Sequence, residues 1–439
     1  MRMPRLRFRH LVSALLLAPA LPLWCQAPAV EEFNIHGQAT VVSQADDAFR
    51  SPYQGPNSLR PGPERATSFT TTLMTGWRLW QGGEAYLDAE GAAGKGVGSV
   101  LGLAGAANGE TYRVGNPEFR ASLARVLLRQ TFSLGGEAQK VEDDAHQLGG
   151  SRHSRRLVVH VGKFSVMDVF DGNAGSHDAR SQFLNWTLMG QGAWDYPADT
   201  RGYTWGCAAE FYWDAWVARY GRFAEPLVAN QLEIDHGFAR AHGDVVELEH
   251  DHSLGDLPGA LRLMVYRNTT RMGDYRLSLA LSPTAPDVTS TRAYGRTKEG
   301  WGLNLDQALS ADLVAFARWG WSDGRNESWA YTEVDRSVSA GLTLKGTGWH
   351  RPQDRLGVAA VQNGLSPDHK DYLAAGGLGF LLGDGRLNYS PERILESYYA
   401  LGMGRFFTAS LDLQRIWNPG YNRDRGPVSL VALRLHAQF

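Results

Sequence analysis

Residues 166–201 read VMDVFDGNAGSHDARSQFLNWTLMGQGAWDYPADTR. Asp168, Asp171, Asn173, His177, Asp178 and Arg180 lie close together in the first half of this stretch. Carboxylates accept hydrogen bonds, a guanidinium donates them in a planar fork, and an amide does both. Such a set can hold a neutral polar solute through several weak bonds without favouring one sign of ion. A second set of charges is dispersed along the chain as Glu210, Arg219, Glu247, Arg262, Asp306 and Arg318. Each alternates with apolar neighbours: Arg262 stands between Leu261 and Leu263, and Arg318 between Ala317 and Trp319. A dry core would not tolerate charges of both signs at these positions, so the face that carries them meets water.

Other combinations lead to weaker chemistry. GAAGKGVGSVLGLAG (91–105) has the glycines of a phosphate loop, but Lys95 is followed by Gly96 and no helical pattern follows, which predicts a flexible external loop. His250 and His252, with Glu247 and Glu249, have the residue types of a metal site, but at a strand rim solvated histidines are the commoner outcome. Ser176, His177 and Asp178 are adjacent in sequence, which is not how a catalytic triad is assembled. Neither G-x-S-x-G nor H-E-x-x-H occurs, and no cofactor is expected.

The elements that must position these residues repeat with period two. In FNIHGQATVV (33–42), Phe33, Ile35, Gly37, Ala39 and Val41 share one face, and Asn34, His36, Gln38 and Thr40 share the other. The tail SLVALRLHAQF does the same, with Val431, Leu433, Leu435, Ala437 and Phe439 opposite Arg434, His436 and Gln438. Strands of this kind are expected near 33–42, 68–80, 84–90, 119–134, 156–165, 202–212, 214–223 and 243–252. The series continues near 259–269, 300–309, 313–322, 335–345, 355–363, 393–402, 406–417 and 427–439, about sixteen in all. The stretch 119–134 reads as a strand or a helix.

Connections after even-numbered strands are short, such as QGG (81–83) and SAD (310–312). Those after odd-numbered strands are mostly long: 43–66, 91–118, 166–201, 270–299 and 364–392. Short turns at one end and long loops at the other is the layout of an antiparallel transmembrane β-barrel, in which lipid-facing and lumen-facing residues alternate. About sixteen strands leave a water-filled channel, and 166–201, folded inward, becomes its constriction. The competing readings are an outward-folded lid for this loop and a soluble β-sandwich or propeller for the fold. The connection 135–155 is long on the short-turn side and reads as a small charged periplasmic insertion.

Composition agrees. Gly 50, Trp 14 and Tyr 16 suit tight turns and aromatic girdles. A net charge of −2 gives no electrostatic case for nucleic acid. Arg2, Arg5, Arg7 and Arg9 precede an apolar run from Leu11 to Trp24, and Ala27-Pro28-Ala29 offers a small-x-small cleavage site. Residues 1–29 are therefore expected to be a signal peptide, with 30–439 forming the barrel domain. The run falls short of the roughly 20 residues of a membrane anchor. Cys25 would suit a lipoprotein only if Trp24 were small. Past this segment only Cys207 remains, so no disulfide framework exists.

FNIHGQAT, FRSPYQGPNSL, VGKFSVMDVFD, QFLNWTLM and AWDYPADTRGYTWG resemble the carbohydrate-selective outer-membrane porin family of OprB type, and the similarity runs from about Phe33 to Phe439. The resemblance implies a barrel of about sixteen strands with an inward loop in the bacterial outer membrane. It implies passive diffusion of mono- and small oligosaccharides rather than enzymatic turnover. The alternatives are an outer-membrane barrel enzyme, which needs a nucleophile–base pair, and a soluble sugar-binding β protein. The expected partners are small neutral carbohydrates, outer-membrane lipid, and a barrel-assembly machinery reading the strand that ends in Phe439.

Overall fold

A computed structural model of the chain describes residues 30–111 and 118–439. The expected signal peptide lies outside the described residues. The described strands are β1 (Phe33–Asp46), β2 (Arg65–Trp80), β3 (Gly83–Gly94), β4 (Arg120–Ser133), β5 (Ala138–Val141) and β6 (Gly150–His153). They continue with β7 (Arg156–Phe164), β8 (Thr204–Trp213), β9 (Trp216–Ala224), β10 (His242–Leu254), β11 (Leu257–Thr270) and β12 (Arg296–Ala308). The series ends with β13 (Leu313–Ser322), β14 (Arg336–Gly346), β15 (Arg351–Gly364), β16 (Glu392–Met403), β17 (Phe407–Trp417) and β18 (Val428–Gln438). All except the β5–β6 hairpin join one closed antiparallel barrel of sixteen strands, each paired with its neighbour in the chain and β1 with β18.

Closure satisfies every strand edge, which hydrocarbon demands. The seam runs from Gln38 opposite Gln438 to Asp46 opposite Leu430. Beyond it, the Gly37 and Phe439 amides donate to each other's carbonyls at 3.1 and 3.0 Å. The Phe439 ring lies where a Cβ on residue 37 would stand, so Gly37 admits the last residue to the wall.

The faces sort as the alternation requires. Leu261, Leu263 and Val265 are exposed on the outer face, while Arg262, Met264 and Tyr266 are buried inside. In the tail, Leu433 and Leu435 face out and Arg434 and His436 face in. Trp205, Phe211, Trp213 and Trp216 add aromatic surface to the outside. Among the described residues no helix is long and apolar enough to cross a membrane. The wall itself does so.

The ambiguous stretch is β4, and its ambiguity has a physical source. Asp88 pairs with Arg125 but Ala89 pairs with Leu123, leaving Ala124 as the extra residue of a β-bulge. A bulge shifts the two-residue period and re-aims the side chains beside it. Here both Ala124 and Arg125 turn inward.

One connection departs from expectation. The segment 91–105 is not a loose external loop. Val97, Val100, Leu103, Ala104 and Ala106 are buried inside the barrel mouth, and the Ala104 and Gly105 amides donate to Glu392 of β16 at 3.0 and 2.8 Å. Its small residues allow this approach: a Cβ on Gly102 would lie 1.9 Å from the Leu59 nitrogen. The connection 135–155 is a hairpin, β5 with β6, whose tip turns back towards the barrel.

Removing Phe439 deletes a ring and a pair of backbone bonds at the seam. The heat-modifiable, folded fraction on gels should fall after this deletion. An undiminished fraction would show that closure does not draw on the last residue.

Candidate functional site

The loop 166–201 starts from a fixed root. Ser165 and Asp168 form a capping box over the short turn Val166–Asp168, with the Ser165 amide donating to Asp168 Oδ2 at 3.1 Å. Asp171 takes a positive φ of 57°, and the chain then crosses the lumen. A single helical turn, α1 (Trp186–Met189), is capped by the Asn185 side chain.

The far wall catches this crossing. Asp171 Oδ1 accepts from Asn304 Nδ2 at 2.5 Å and from Arg318 Nε at 3.1 Å, and Oδ2 accepts from the Gln191 amide at 2.8 Å. Arg318 also donates to the carbonyls of Ser176 and Leu188 at 2.7 and 3.1 Å. Asn173 Nδ2 donates to Asn304 Oδ1 at 2.7 Å, and the Asp171 amide donates to Glu247 at 2.9 Å. Farther along, Glu396 accepts from the Leu184 and Asn185 amides at 2.5 and 3.0 Å. Arg434 donates to the carbonyls of Ala179 and Gln182 at 2.5 and 2.8 Å. Asp171, Asn173, Glu247 and Arg318, expected in the pore lining, are thus buried in the seam between loop and wall. Asp171 and Arg318 are each only 1% exposed.

The open space lies on the other side of the loop. A cavity of about 350 Å³ is bounded by the loop and by Thr70, Glu90 and Arg125 of β2–β4. Asp168, His177, Asp178 and Arg180 from the expected set line it. Arg180 Nε donates to Glu110 at 2.8 Å and Arg180 Nη2 lies 3.3 Å from Glu90, which also accepts from Tyr203 OH at 2.9 Å. Arg125 forks onto Asp168 at 2.7 and 2.6 Å and reaches Asp88 at 2.8 Å. Burial alone would raise the Asp168 carboxyl, but the Arg125 guanidinium outweighs it and holds the group below the usual carboxylate range. Asp178 is lowered in the same way, burial being outweighed by Arg180. The Arg180 guanidinium would be lowered by burial, but Glu110, Tyr203 and Glu90 raise it. An aromatic group borders the same space: Trp186 stacks on Tyr331 with centroids 5.3 Å apart, and Tyr196 follows at 4.3 Å.

The remaining expected residues form a belt on the inner wall. From His160 and Glu210 (2.9 Å) it runs to Arg219 (2.9 Å), then to Glu249 (2.9 Å), Arg262 (2.5 Å) and Asp306 (2.6 Å). Arg219 also donates to Glu247 at 2.9 Å. Glu247 and Glu249 therefore face inward, while His250 packs on Trp216 of the outer face at 4.3 Å between centroids. The four do not converge, and no metal-type cluster occurs among the described residues. Ser176 Oγ donates to the Leu188 carbonyl at 2.6 Å and His177 Nε2 lies 3.1 Å from the Met167 carbonyl, so they form no nucleophile–base pair.

Sequence reasoning missed Glu90, Glu110, Arg125 and Tyr203. For Glu90 the signal was present, since Glu84, Tyr86, Asp88 and Glu90 alternate with Ala85, Leu87 and Ala89. The bulge hid Arg125, and Glu110 sits in a loop without periodicity.

The family model described as carbohydrate-selective porin, OprB family, matches residues 57–439. Porin AaxA of Chlamydia caviae is 26% identical over 135 residues, which is 31% of this chain and 26% of that protein. The match thus spans about a quarter of that relative's length. OprB of Pseudomonas putida, in its high-pH structure, has the same fold at a TM-score of 0.69 and 17% identity, over 93% of this chain and 94% of its own. The outer-membrane channel DcaP of Acinetobacter baumannii gives 0.50 at 10% identity, over 94% and 98% of the two chains.

Two outcomes test the site. Asp171→Ala strands a buried guanidinium, a loss of about 3–5 kcal/mol for a buried pair. It should loosen the loop, raising single-channel conductance while the barrel keeps its heat-modifiable mobility; unaltered conductance would show that the loop is held without Asp171. In Arg125→Gln, burial is opposed only by the Ser165 amide and by His146, and the Asp168 carboxyl titrates higher. Its charge, present above its bound-state value and lost as pH falls through it, then disappears at a higher pH. Ion selectivity against pH should step earlier on acidification than in the parent, and coincident steps would remove Arg125 from this role.

Proposed function

Because the chain belongs to the carbohydrate-selective porins of the OprB family and so to the bacterial outer membrane, we propose that it lets mono- and small oligosaccharides diffuse passively through the gap between the inward loop and β2–β4. Its relatives are porins, which are channels rather than enzymes. The observation that carries the reading is the pairing, around one cavity, of charges of both signs with stacked aromatic rings. A sugar has hydroxyls on its rim and apolar C–H faces. Carboxylate and guanidinium groups can exchange bonds with the hydroxyls, and Trp186 and Tyr196, packed on either side of Tyr331 at the cavity's border, supply the apolar ring surface for the C–H faces. Since Arg125 and Arg180 already hold carboxylates, a passing solute meets a lining of mutually bonded groups rather than a strong field of one sign.

Size supports the same solute class. A cavity of about 350 Å³ lies at the small end of ligand-sized spaces, about 300–1,000 Å³. Contacts in a channel must also release what they bind, which favours weak, serial ones.

Liposome swelling with neutral sugars of increasing length should show fast entry of monosaccharides and a steep decline with size. Trp186→Ala should weaken discrimination among monosaccharides by a few-fold, in line with about 0.5–1.5 kcal/mol for an aromatic contact. Equal swelling rates for sugars and for charged solutes of the same size would refute the reading.

A further inference from the structure

The connection between β4 and β7 does more than turn the chain. Its neck is narrow: the Ser154 amide donates to the Glu137 carbonyl at 2.8 Å and the Leu134 amide to that of Arg155 at 2.9 Å. Beyond the neck β5 pairs with β6, and the tip 142–149 folds back onto the inner face of the barrel. Asn34 Nδ2 donates to Asp143 Oδ1 at 2.8 Å and to the carbonyls of Asp144 and Gln147 at 3.3 and 3.1 Å. Arg129 donates to the His146 carbonyl at 2.9 Å, and the Gly149 amide to Glu31 at 2.7 Å. The His146 ring lies edge-on to Tyr86, with its Nε2 2.7 Å from Asp88 Oδ2. Leu148 is buried.

The cavity lies on this same side of the barrel. The cavity takes its strand wall from Thr70, Glu90 and Arg125. On the inner face of β3, Glu90 is followed by Asp88 and Tyr86 towards the short-turn end. Successive inward residues on a strand are about 7 Å apart. The tip therefore covers the wall directly below the cavity. The same Asp88 oxygen that meets His146 accepts from Arg125 at 2.8 Å, so bonded contacts run unbroken from the loop root to the tip.

We propose that the tip 142–149 is a second constriction, on the periplasmic side and in series with the loop 166–201. The proposal rests on the channel reading above. A solute that clears Arg180 and Arg125 must then pass the polar edge carrying Glu142, Asp143 and Asp144, all exposed.

Excision of 138–153, joining Glu137 to Ser154, keeps the Ser133–Arg156 pairing of β4 with β7. Conductance of the heat-modifiable, folded variant should rise about twofold, as for two comparable resistances in series. An unchanged conductance overturns the second constriction and leaves the channel reading intact; a parent protein with no conductance overturns both. A second arm keeps the full chain: Ala145→Cys in a Cys207→Ser background is coupled to a bulky hydrophilic thiol reagent from the periplasmic side. Coupling should cut conductance by at least half. Complete coupling without a fall places the tip outside the conduction path and overturns the proposal.

Discussion

A loop that leaves a barrel wall and enters the lumen abandons its strand partners, yet its backbone amides still need acceptors. The described structure depends on how this need is met: carboxylates on the opposite wall take the place of a neighbouring strand. Glu392 accepts from Ala104, Gly105 and Gly420 at 3.0, 2.8 and 2.8 Å. Glu396, two inward positions farther along β16, accepts from Leu184 and Asn185. One strand thus holds segments of three different loops at two heights. Asp195, itself on the inward loop, accepts from the consecutive amides of Trp329, Ala330 and Tyr331 at 2.6, 2.8 and 2.8 Å, which sets Tyr331 against Trp186. Each such bond contributes about 0.5–1.5 kcal/mol, and a stranded partner costs about 1–3 kcal/mol. Such loops are fixed features of the channel.

The inner belt follows the same rule in side chains. Arg219 and Arg262 each join carboxylates from two different strands, so each guanidinium bridges three strands of the wall. Where all donors and acceptors are satisfied, a polar network is rigid, and its charges are spent on one another. A barrel lined in this way can carry many ionised groups without becoming an ion trap. Where the loop narrows the passage the arginines are again paired, with Glu110, Glu90 and Asp168.

The wall was legible in the sequence because its rule is local. Period two, turn residues and connection lengths are each read within a few positions, and Arg262 between Leu261 and Leu263 points inward as read. The loop residues were not legible in the same way. Asp171 and Asp168 are three positions apart and of one type, yet Asp168 borders the cavity and Asp171 is sealed against Arg318. That difference depends on which strand each meets, Arg125 at 43 positions' separation for Asp168 and Arg318 at 147 for Asp171. The segment 91–105 misled for the opposite reason. Its glycines and alanines look like a flexible loop, but small size is also what close packing under a roof of other loops requires, and Leu59 against Gly102 shows that use. Arg125 was hidden by a single extra residue, Ala124, which moved the period by one.

That extra residue has a consequence for how the channel can select by size. With Ala124 inserted, the Arg125 guanidinium reaches both Asp168 at the loop root and Asp88 on the neighbouring strand, and it lies over the Tyr203 ring at 5.2 Å. Each of its three nitrogens donates to a carboxylate, so it cannot swing to follow a solute without giving up charge-assisted bonds. At the other end Arg434 and Glu396 pin the chain at Ala179, Gln182, Leu184 and Asn185. A loop fixed at its root on one wall and at its middle on the opposite wall spans the lumen like a strut. The width of the gap beside it is then set by the barrel diameter, which strand number and tilt determine, and not by loop motion. On the function proposed above, a passage of that kind sorts solutes by fit against a static edge and leaves chemical preference to the side chains along that edge.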